Sequence, residues 1–341
     1  MKKVATAVLC LFVGCLRLCA DSLLLPTDNG AVLDPVRYLQ NAGTERCNGG
    51  FGLVRENGTK FHGGIDIKPV KRRLDGEPLD VVRSVADGTV VYANDNGDGS
   101  SYGKYVVVEH GSFSMPVLSI YAHLASISAS AISGHVVAAG EVIGTVGRTA
   151  QGYEIPRDRA HLHFELALRL GDGEEFARWY GGQHFLTANI HDLWNGLNFA
   201  SFDPLPLLRS GEDFSLAEHI RNLPTAFVTR IFTEYFPPFL RRYGALLDGW
   251  DGGPIGGFDV EWTWFGLPKR WCALPPSVEH GRCENVEVVL LQSNWQLSQS
   301  ACTRETLVRG RGNVLRIGKR TAATLEKIFG GCVKILDSSR D

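Results

Sequence analysis

His161-Leu162-His163-Phe164-Glu165 lies inside an apolar run that ends Leu166-Ala167-Leu168. In a strand, residues two apart point to the same face, so both imidazoles would project side by side into one site. Neutral imidazole is the commonest zinc ligand, yet a catalytic zinc takes three protein ligands and leaves one position for water. One pair therefore cannot be the whole site. Alone it is also compatible with two polar residues on an exposed strand face.

Upstream of this pair the chain is a succession of short runs rich in Val, Ile, Tyr and Leu, separated by glycine. Val81 to Val85, Gly88 to Tyr92, Tyr105 to Glu109, Val117 to Tyr121, His135 to Val137, Val142 to Val146 and His161 to Leu168 read as strands. Their intervals predict an antiparallel sheet or sandwich. Tyr121-Ala122-His123-Leu124 puts a histidine at the end of one of these strands, a position that is by itself usually structural. Further upstream, Phe61-His62-Gly63-Gly64-Ile65-Asp66-Ile67 sets a histidine and a carboxylate four apart. The two glycines let the backbone turn tightly, so an imidazole and a carboxylate could meet on one ion, although Gly-Gly-x-Asp is also a common turn.

Taken together, His62-x-x-x-Asp66, Tyr121-Ala122-His123-Leu124 and His161-Leu162-His163-Phe164-Glu165 occur in one order on one β-rich segment. Phe61 to Leu168 resembles the lysostaphin/LytM-type zinc metallopeptidases, which cut peptide stems or cross-bridges of bacterial peptidoglycan. Ala86-Asp87-Gly88-Thr89-Val90-Val91-Tyr92, Tyr102 to Gly111 and Gly140 to Gly147 match the same pattern. The resemblance implies that His62, Asp66 and His163 bind one Zn2+, and that His123 and His161 flank the attacked carbonyl as acid-base residues. It implies a peptidoglycan peptide as substrate. Glu165, two residues beyond His163, could orient a ligand or be an ordinary strand-face carboxylate. His110 matches the pattern without belonging to the metal or acid-base set and reads as structural. Two segments depart from the family: Arg148 to Ala160, before the paired histidines, and Lys68 to Pro78 are both lengthened and charged. The first is expected to wall the substrate groove. Non-catalytic modules of this type, which activate another wall hydrolase by binding it, commonly lose metal ligands. All five residues are present here, so the enzyme is the leading reading and the regulator the alternative.

With 341 residues, 44% apolar and 21% charged, the chain suits two modest domains or one with an extension. A formal charge of -2 gives no global reason to expect nucleic acid. Lys2-Lys3 followed by the uncharged run Val4 to Leu16 predicts a secretory signal over residues 1–20, cleaved near Ala20. A lipobox-like Phe12-Val13-Gly14-Cys15 offers lipid anchoring at Cys15 instead, and either route predicts an exported, periplasmic or envelope-associated protein. No later segment could span a bilayer. Cleavage leaves Cys47, Cys272, Cys283, Cys302 and Cys332, an odd number without a Cys-x-x-Cys. One or two bridges among the last four, or buried free thiols, are both open.

Residues 21–60 are a polar, turn-rich lead-in that could lie across the site, where Asn41, Asn48 and Asn57 each offer an amide oxygen. Residues 61–208 form the expected catalytic domain with its extension. Residues 209–341 form an additional α+β domain without an assigned role. Its Tyr235, Phe236, Phe239, Trp250, Trp262, Trp264, Phe265 and Trp271 could stack on sugars but more often such clusters are core. Arg304, Arg309, Arg311, Arg316, Lys319, Arg320, Lys327 and Lys334 give its end a basic excess that could meet an anionic surface, and Thr321 to Phe329 reads as a short helix ended by Gly330-Gly331. Oligomeric state is not legible.

Overall fold

All seven runs read between Val81 and Leu168 are strands in the computed structural model, which describes residues 21–41, 48–56, 60–185, 188–211, 214–276, 286–294, 307–311, 314–331 and 333–336. The signal segment, Cys15 and Cys47, Asn57, and Cys283, Cys302 and Cys332 lie outside the described residues. Cys272 is exposed and carries a free thiol. No helix among the described residues is long and apolar enough to cross a membrane.

The strands of the first half are β1 Gly52–Arg55, β2 Lys60–His62, β3 Ile65–Ile67, β4 Val81–Arg83, β5 Gly88–Asn94, β6 Tyr105–His110, β7 Val117–Ala122, β8 Leu124–Ile127, β9 Val136–Val137, β10 Val142–Val146, β11 Leu162–Arg169 and β12 Phe199–Phe202. The larger sheet runs β12-β11-β7-β6-β5-β9, with β3 also paired to β11. A second sheet runs β4-β10-β8. All of these pairings are antiparallel. Val106 and Val108 join the main core with Val82, Ile143, Val146 and Phe164, whereas Tyr105 and Val107 fall in a second cluster with Leu118 and Ile120. Alternate residues of one strand thus serve two cores, the period of two expected of a sheet covered on both faces. The segment after β11 supplies the second cover through Trp194 and Phe199. Here the structure adds an element that the sequence reading did not contain: β12, four residues long, pairs with β11 from Leu166↔Phe202 to Arg169↔Phe199.

The chain crosses from one sheet to the other at a single residue. β7 belongs to the larger sheet and β8 to the smaller, and His123 between them has φ +61°. That left-handed conformation costs a non-glycine residue roughly 1–2 kcal/mol, so the surroundings must hold it. They do so through His123 N donating to Tyr102 O at 2.9 Å and Leu124 N to Lys104 O at 3.0 Å. Gly147 closes the space behind, because a Cβ there would stand 2.7 Å from His123 O and 2.2 Å from Ala125 N.

The second half builds a separate six-stranded sheet. Its strands are β13 Phe227–Phe232, β14 Leu247–Asp248, β15 Gly257–Trp262, β16 Pro268–Leu274, β17 Val286–Ser293 and, after a hairpin of β18 Val308–Arg311 and β19 Val314–Ile317, β20 Val333–Ile335. The order is β14-β16-β15-β13-β17-β20, antiparallel within and parallel at the two edges. The aromatic cluster is mostly core: Phe239, Trp262, Phe265 and Trp271 are buried, while Tyr235 and Trp250 remain exposed. The predicted terminal helix spans Lys319–Phe329 and stops at Gly330, φ +67°. It packs against the helix Gly173–Gly181, with the Lys327 ammonium 4.3 Å above the Trp179 ring. Arg242 ties the two halves together, donating to Glu109 and Asp172 at 2.8 Å each.

Candidate metal and active site

Register brings the first two residues together. Asp66 on β3 lies directly opposite His163 on β11, so both side chains share one face of the sheet. His62 joins them around the Gly63-Gly64 turn, which hugs β11 so closely that a Cβ on Gly64 would stand 2.3 Å from Phe164 O. His62 Nε2, Asp66 Oδ1 and His163 Nδ1 form a triangle with edges of 3.0, 3.1 and 3.2 Å, and all three residues are buried. A tetrahedral ion with ligand bonds of about 2.0–2.1 Å has ligand-to-ligand edges of about 3.3 Å. The donors fit a metal of that size and can hold one.

The far nitrogen of each ring is also committed. His62 Nδ1 donates to Gly50 O at 2.7 Å, and His163 Nε2 to Glu165 Oε1 at 2.7 Å. Such partners set the tautomer and raise the basicity of the ligating nitrogen. Glu165 is in turn held by the Tyr102 hydroxyl at 2.6 Å and the Ser201 hydroxyl at 2.5 Å. Burial opposes its ionisation, but His163 and these donors keep its pKa below the usual glutamate value. Glu165 lies behind the His163 ring, on the side away from the triangle.

Cations already gather at this triangle. Arg55, from the hairpin β1–β2, donates through Nη2 to Asp66 Oδ2 and to His62 Nε2, the latter at 3.0 Å. Burial lowers the His163 pKa, but Asp66 on one side and Glu165 on the other outweigh it and push it up to about 9. A guanidinium and an imidazolium together carry the charge of one divalent ion. The lead-in reaches the site through Arg55, whereas Asn41 Oδ1 accepts from Gly49 N at 3.1 Å.

His123 and His161 stand beside the triangle with their rings 5.0 Å apart. His123 Nδ1 donates to Thr149 O at 2.8 Å and His161 Nδ1 to Arg159 O at 2.7 Å, which leaves Nε2 of each neutral ring with a lone pair. His161 Nε2 is 3.4 Å from Asp66 Oδ1, and His123 Nε2 is 3.5 Å from the Tyr153 hydroxyl. Burial pushes the His123 pKa well below the free value, aided by its histidine neighbours. Burial also lowers that of His161, against the pull of Asp66. Both are therefore neutral imidazoles at neutral pH.

The two lengthened segments are coupled. Glu77 receives Arg148 at 3.2 Å and Arg157 at 2.9 Å, and Arg72 donates to Arg157 O at 2.9 Å. Their joint packing carries Tyr153 over His123, with ring centroids 6.3 Å apart. His110 is buried away from the triangle, bonded to Ser119 Oγ at 2.7 Å and Asp87 O at 2.8 Å. Tyr102, Ser201, Tyr153 and Arg55 were not singled out from the sequence. Of these, Tyr102 and Tyr153 lie in two stretches that stand out in the sequence, Tyr102 to Gly111 and Arg148 to Ala160.

Residues 60–175 match the model of peptidase family M23. This stretch is similar to an M23 peptidase domain. All five site residues fall within it. Among solved structures, the chain is similar to a LytM chain from Ruminococcus gnavus, with 22% identity over 44% of this chain and 47% of that one, at a TM-score of 0.29. It is similar to the catalytic domain of lysostaphin from Staphylococcus simulans, with 20% identity over 47% and 87% of the two chains and a TM-score of 0.27. A zinc-containing peptidase from Vibrio cholerae gives 24% identity over 38% and 36%, with a TM-score of 0.26. The match thus spans less than half the length of the Ruminococcus relative. No curated protein matches the chain. The match ends within the helix Gly173–Gly181, so the six-stranded sheet lies beyond it.

Proposed function

We propose that the chain is an exported, zinc-dependent endopeptidase that hydrolyses peptide bonds in peptidoglycan stems or cross-links. The observation that carries this reading is the buried triangle of His62, Asp66 and His163 with two neutral imidazoles beside it. Zinc bound there would supply Lewis acidity, polarising a carbonyl and lowering the pKa of water. The rest falls to the side chains. Nε2 of His123 or His161 takes the proton as water adds to the peptide carbonyl, and a protonated imidazole returns one to the amine as the C–N bond breaks. Thr149 O and Arg159 O hold the two rings in the tautomer this requires. The Tyr153 hydroxyl is placed to donate to a developing oxyanion or to a substrate carbonyl.

The test is mass spectrometry of purified peptidoglycan fragments after incubation with the zinc-loaded chain, beside the same chain carrying His163→Ala. New amine and carboxyl termini made only by the unmutated chain are the expected result. Zinc-loaded chain that leaves every fragment intact would overturn the reading.

Two substitutions probe the metal centre separately from turnover. Glu165→Gln removes the charge behind His163 Nε2 and is expected to weaken zinc binding about 10–100-fold. Competition with a chromophoric chelator reads this directly, and unchanged affinity would assign Glu165 to packing alone. Arg55→Ala acts in the opposite direction. A charge-assisted hydrogen bond is worth about 1.5–3 kcal/mol, less here because the Arg55 side chain is 37% exposed. Removing this competitor should tighten zinc binding roughly tenfold in the same titration. Weaker binding in Arg55→Ala would mean that Arg55 supports the ligands instead of competing for them.

A further inference from the structure

The carbonyl that orients the His161 ring sits in a turn with little support of its own. Arg159 O accepts from His161 Nδ1 at 2.7 Å, and Arg159 ends the short 3₁₀ turn Arg157–Arg159. No side chain caps this turn at Pro156; inside it, Arg159 N donates to Pro156 O at 2.9 Å and Ala160 N to Arg157 O at 3.2 Å. Bonds of the 3₁₀ type are poorly aligned, and a first turn fixes several dihedrals for each bond gained, so the segment does not hold its shape unaided. His123 stands on firmer ground. Its acceptor belongs to Thr149, whose hydroxyl donates to Leu124 O at 2.8 Å and accepts from Lys104 N at 2.9 Å, so residues at the edges of β8 and β6 pin it directly.

The missing support arrives from the other lengthened segment. Arg72 donates through Nη1 to Arg157 O at 2.9 Å and through Nη2 to Asp158 O and Ala160 O at 3.4 Å each. One guanidinium therefore spans the carbonyls on either side of Arg159 and leaves that residue's own carbonyl to His161. Arginine suits the task, because its N–H donors form a rigid planar fork that meets several acceptors at once, whereas an ammonium is a point donor. Arg72 is itself partly buried and tied to Gly76 O at 2.8 Å. Its segment is rooted by the buried Asp80, whose carboxylate accepts from Val70 N and Lys71 N at 2.9 Å each and whose carbonyl accepts from Val146 N at 2.9 Å. Val146 leads into Gly147, whose carbonyl accepts from His161 N at 3.2 Å. The support thus starts and ends beside the ring that it steadies.

We propose that Arg72 is a positioning residue for the reaction: by gripping the turn Arg157–Arg159 it keeps Arg159 O on His161 Nδ1 and so keeps the lone pair of His161 on Nε2. The inference rests on the peptidase reading for its consequence and on hydrogen bonding alone for its cause. A competitor for the proton is close by, since Asp66 Oδ1 lies 3.4 Å from His161 Nε2 and would accept from a proton placed there. Once Arg159 O drifts, the neutral ring exchanges between its two tautomers, and the fraction with Nε2–H cannot accept a proton from water. The two lengthened segments share one purpose in this account: one supplies the carbonyl, the other the guanidinium that holds it.

The test is long-range proton–nitrogen correlation NMR on the full chain, zinc-loaded and labelled at the histidine ring nitrogens, at one fixed, slightly alkaline pH. Two-bond couplings report which nitrogen of each ring carries the proton, and His123→Ala and His161→Ala assign the signals. The unmutated chain should show Nδ1–H for both rings. In Arg72→Gln and Arg72→Lys, both of which lose the fork, the His161 pattern should become mixed while His123 keeps its own. Zinc should remain at one per chain, and kcat should fall about 10–10²-fold with KM unchanged, as expected when a reacting group is misplaced without loss of binding. Circular dichroism shows that each variant is folded. A His161 ring that stays wholly Nδ1–H in folded Arg72→Gln overturns the proposal, and so does mixing that spreads equally to His123. An undiminished kcat beside a mixed His161 pattern also overturns it. Tautomers that depend on Arg72 in a chain that cleaves no wall peptide would sink the peptidase reading and leave the hold on the ring standing.

Discussion

Replacing His163 by alanine is expected to remove zinc from the purified chain and with it all hydrolysis of wall peptides. His163 is the residue on which both sides of the site depend. Through Nδ1 it completes the triangle, 3.0 Å from His62 Nε2 and 3.1 Å from Asp66 Oδ1; through Nε2 it is anchored on Glu165. Structural zinc sites bind with about 10–16 kcal/mol over four ligands, so one ligand accounts for roughly 3–4 kcal/mol, or about 10²–10³ in affinity. Cross-strand register makes compensation difficult, because the residue opposite His163 on β7 is Ala122, which offers no donor. The measurement is zinc per chain after dialysis, by elemental mass spectrometry, with circular dichroism to confirm the fold. Full zinc occupancy in folded His163→Ala would overturn the ligand assignment.

What the sequence made legible, and what it did not, follows from the range of the interactions. His161 and His163 could be placed together because a strand repeats every two residues, and Asp66 could be brought near His62 because two glycines shorten the path between them. The five residues then meet in one buried cluster. Arg55 was not legible, since nothing local links its position to Asp66: the contact depends on the register Gly52↔His62 and Arg55↔Lys60 across a hairpin. The same holds for the chain Tyr102–Glu165–Ser201, whose members are 63 and 36 residues apart. β12 escaped because Phe199-Ala200-Ser201-Phe202 is too short to show a period and becomes a strand only by pairing with the edge of β11. In the C-terminal half, composition pointed to core for the aromatic cluster, and one of its rings, Trp262, stacks on Phe227 with their planes 4° apart. The basic excess near the end of the chain was visible as charge alone. That two of its members, Arg320 and Lys327, line the same cavity as His163 and Glu165 is a property of how one helix docks on the first half of the chain.

His123→Ala and His161→Ala should separate catalysis from metal binding. Neither ring belongs to the triangle, so each variant is expected to retain zinc while turnover falls about 10²–10⁴-fold, the usual contribution of a positioned acid or base. The direction of the pKa shifts adds a second signature. A neutral imidazole is needed to accept the proton, and burial holds both rings below the free value of 6.5. The proton-accepting form therefore persists as pH falls from 8 through about 6.5, and the acid limb of kcat/KM in the unmutated chain should lie below that value. In a single variant the remaining histidine must act alone, without the mutual repulsion that helps to keep His123 unprotonated. The acid limb of His161→Ala should accordingly move to higher pH, since His123 loses the neighbour whose charge opposes its own. Zinc content, kcat/KM and the pH profile, measured on the same preparations, distinguish this from a structural role. His123 sits at the strained crossing between the two sheets, so a merely structural loss there would lower stability and zinc together and leave the limb where it was. Retained zinc, lost turnover and a shifted limb together would place both imidazoles in the proton path.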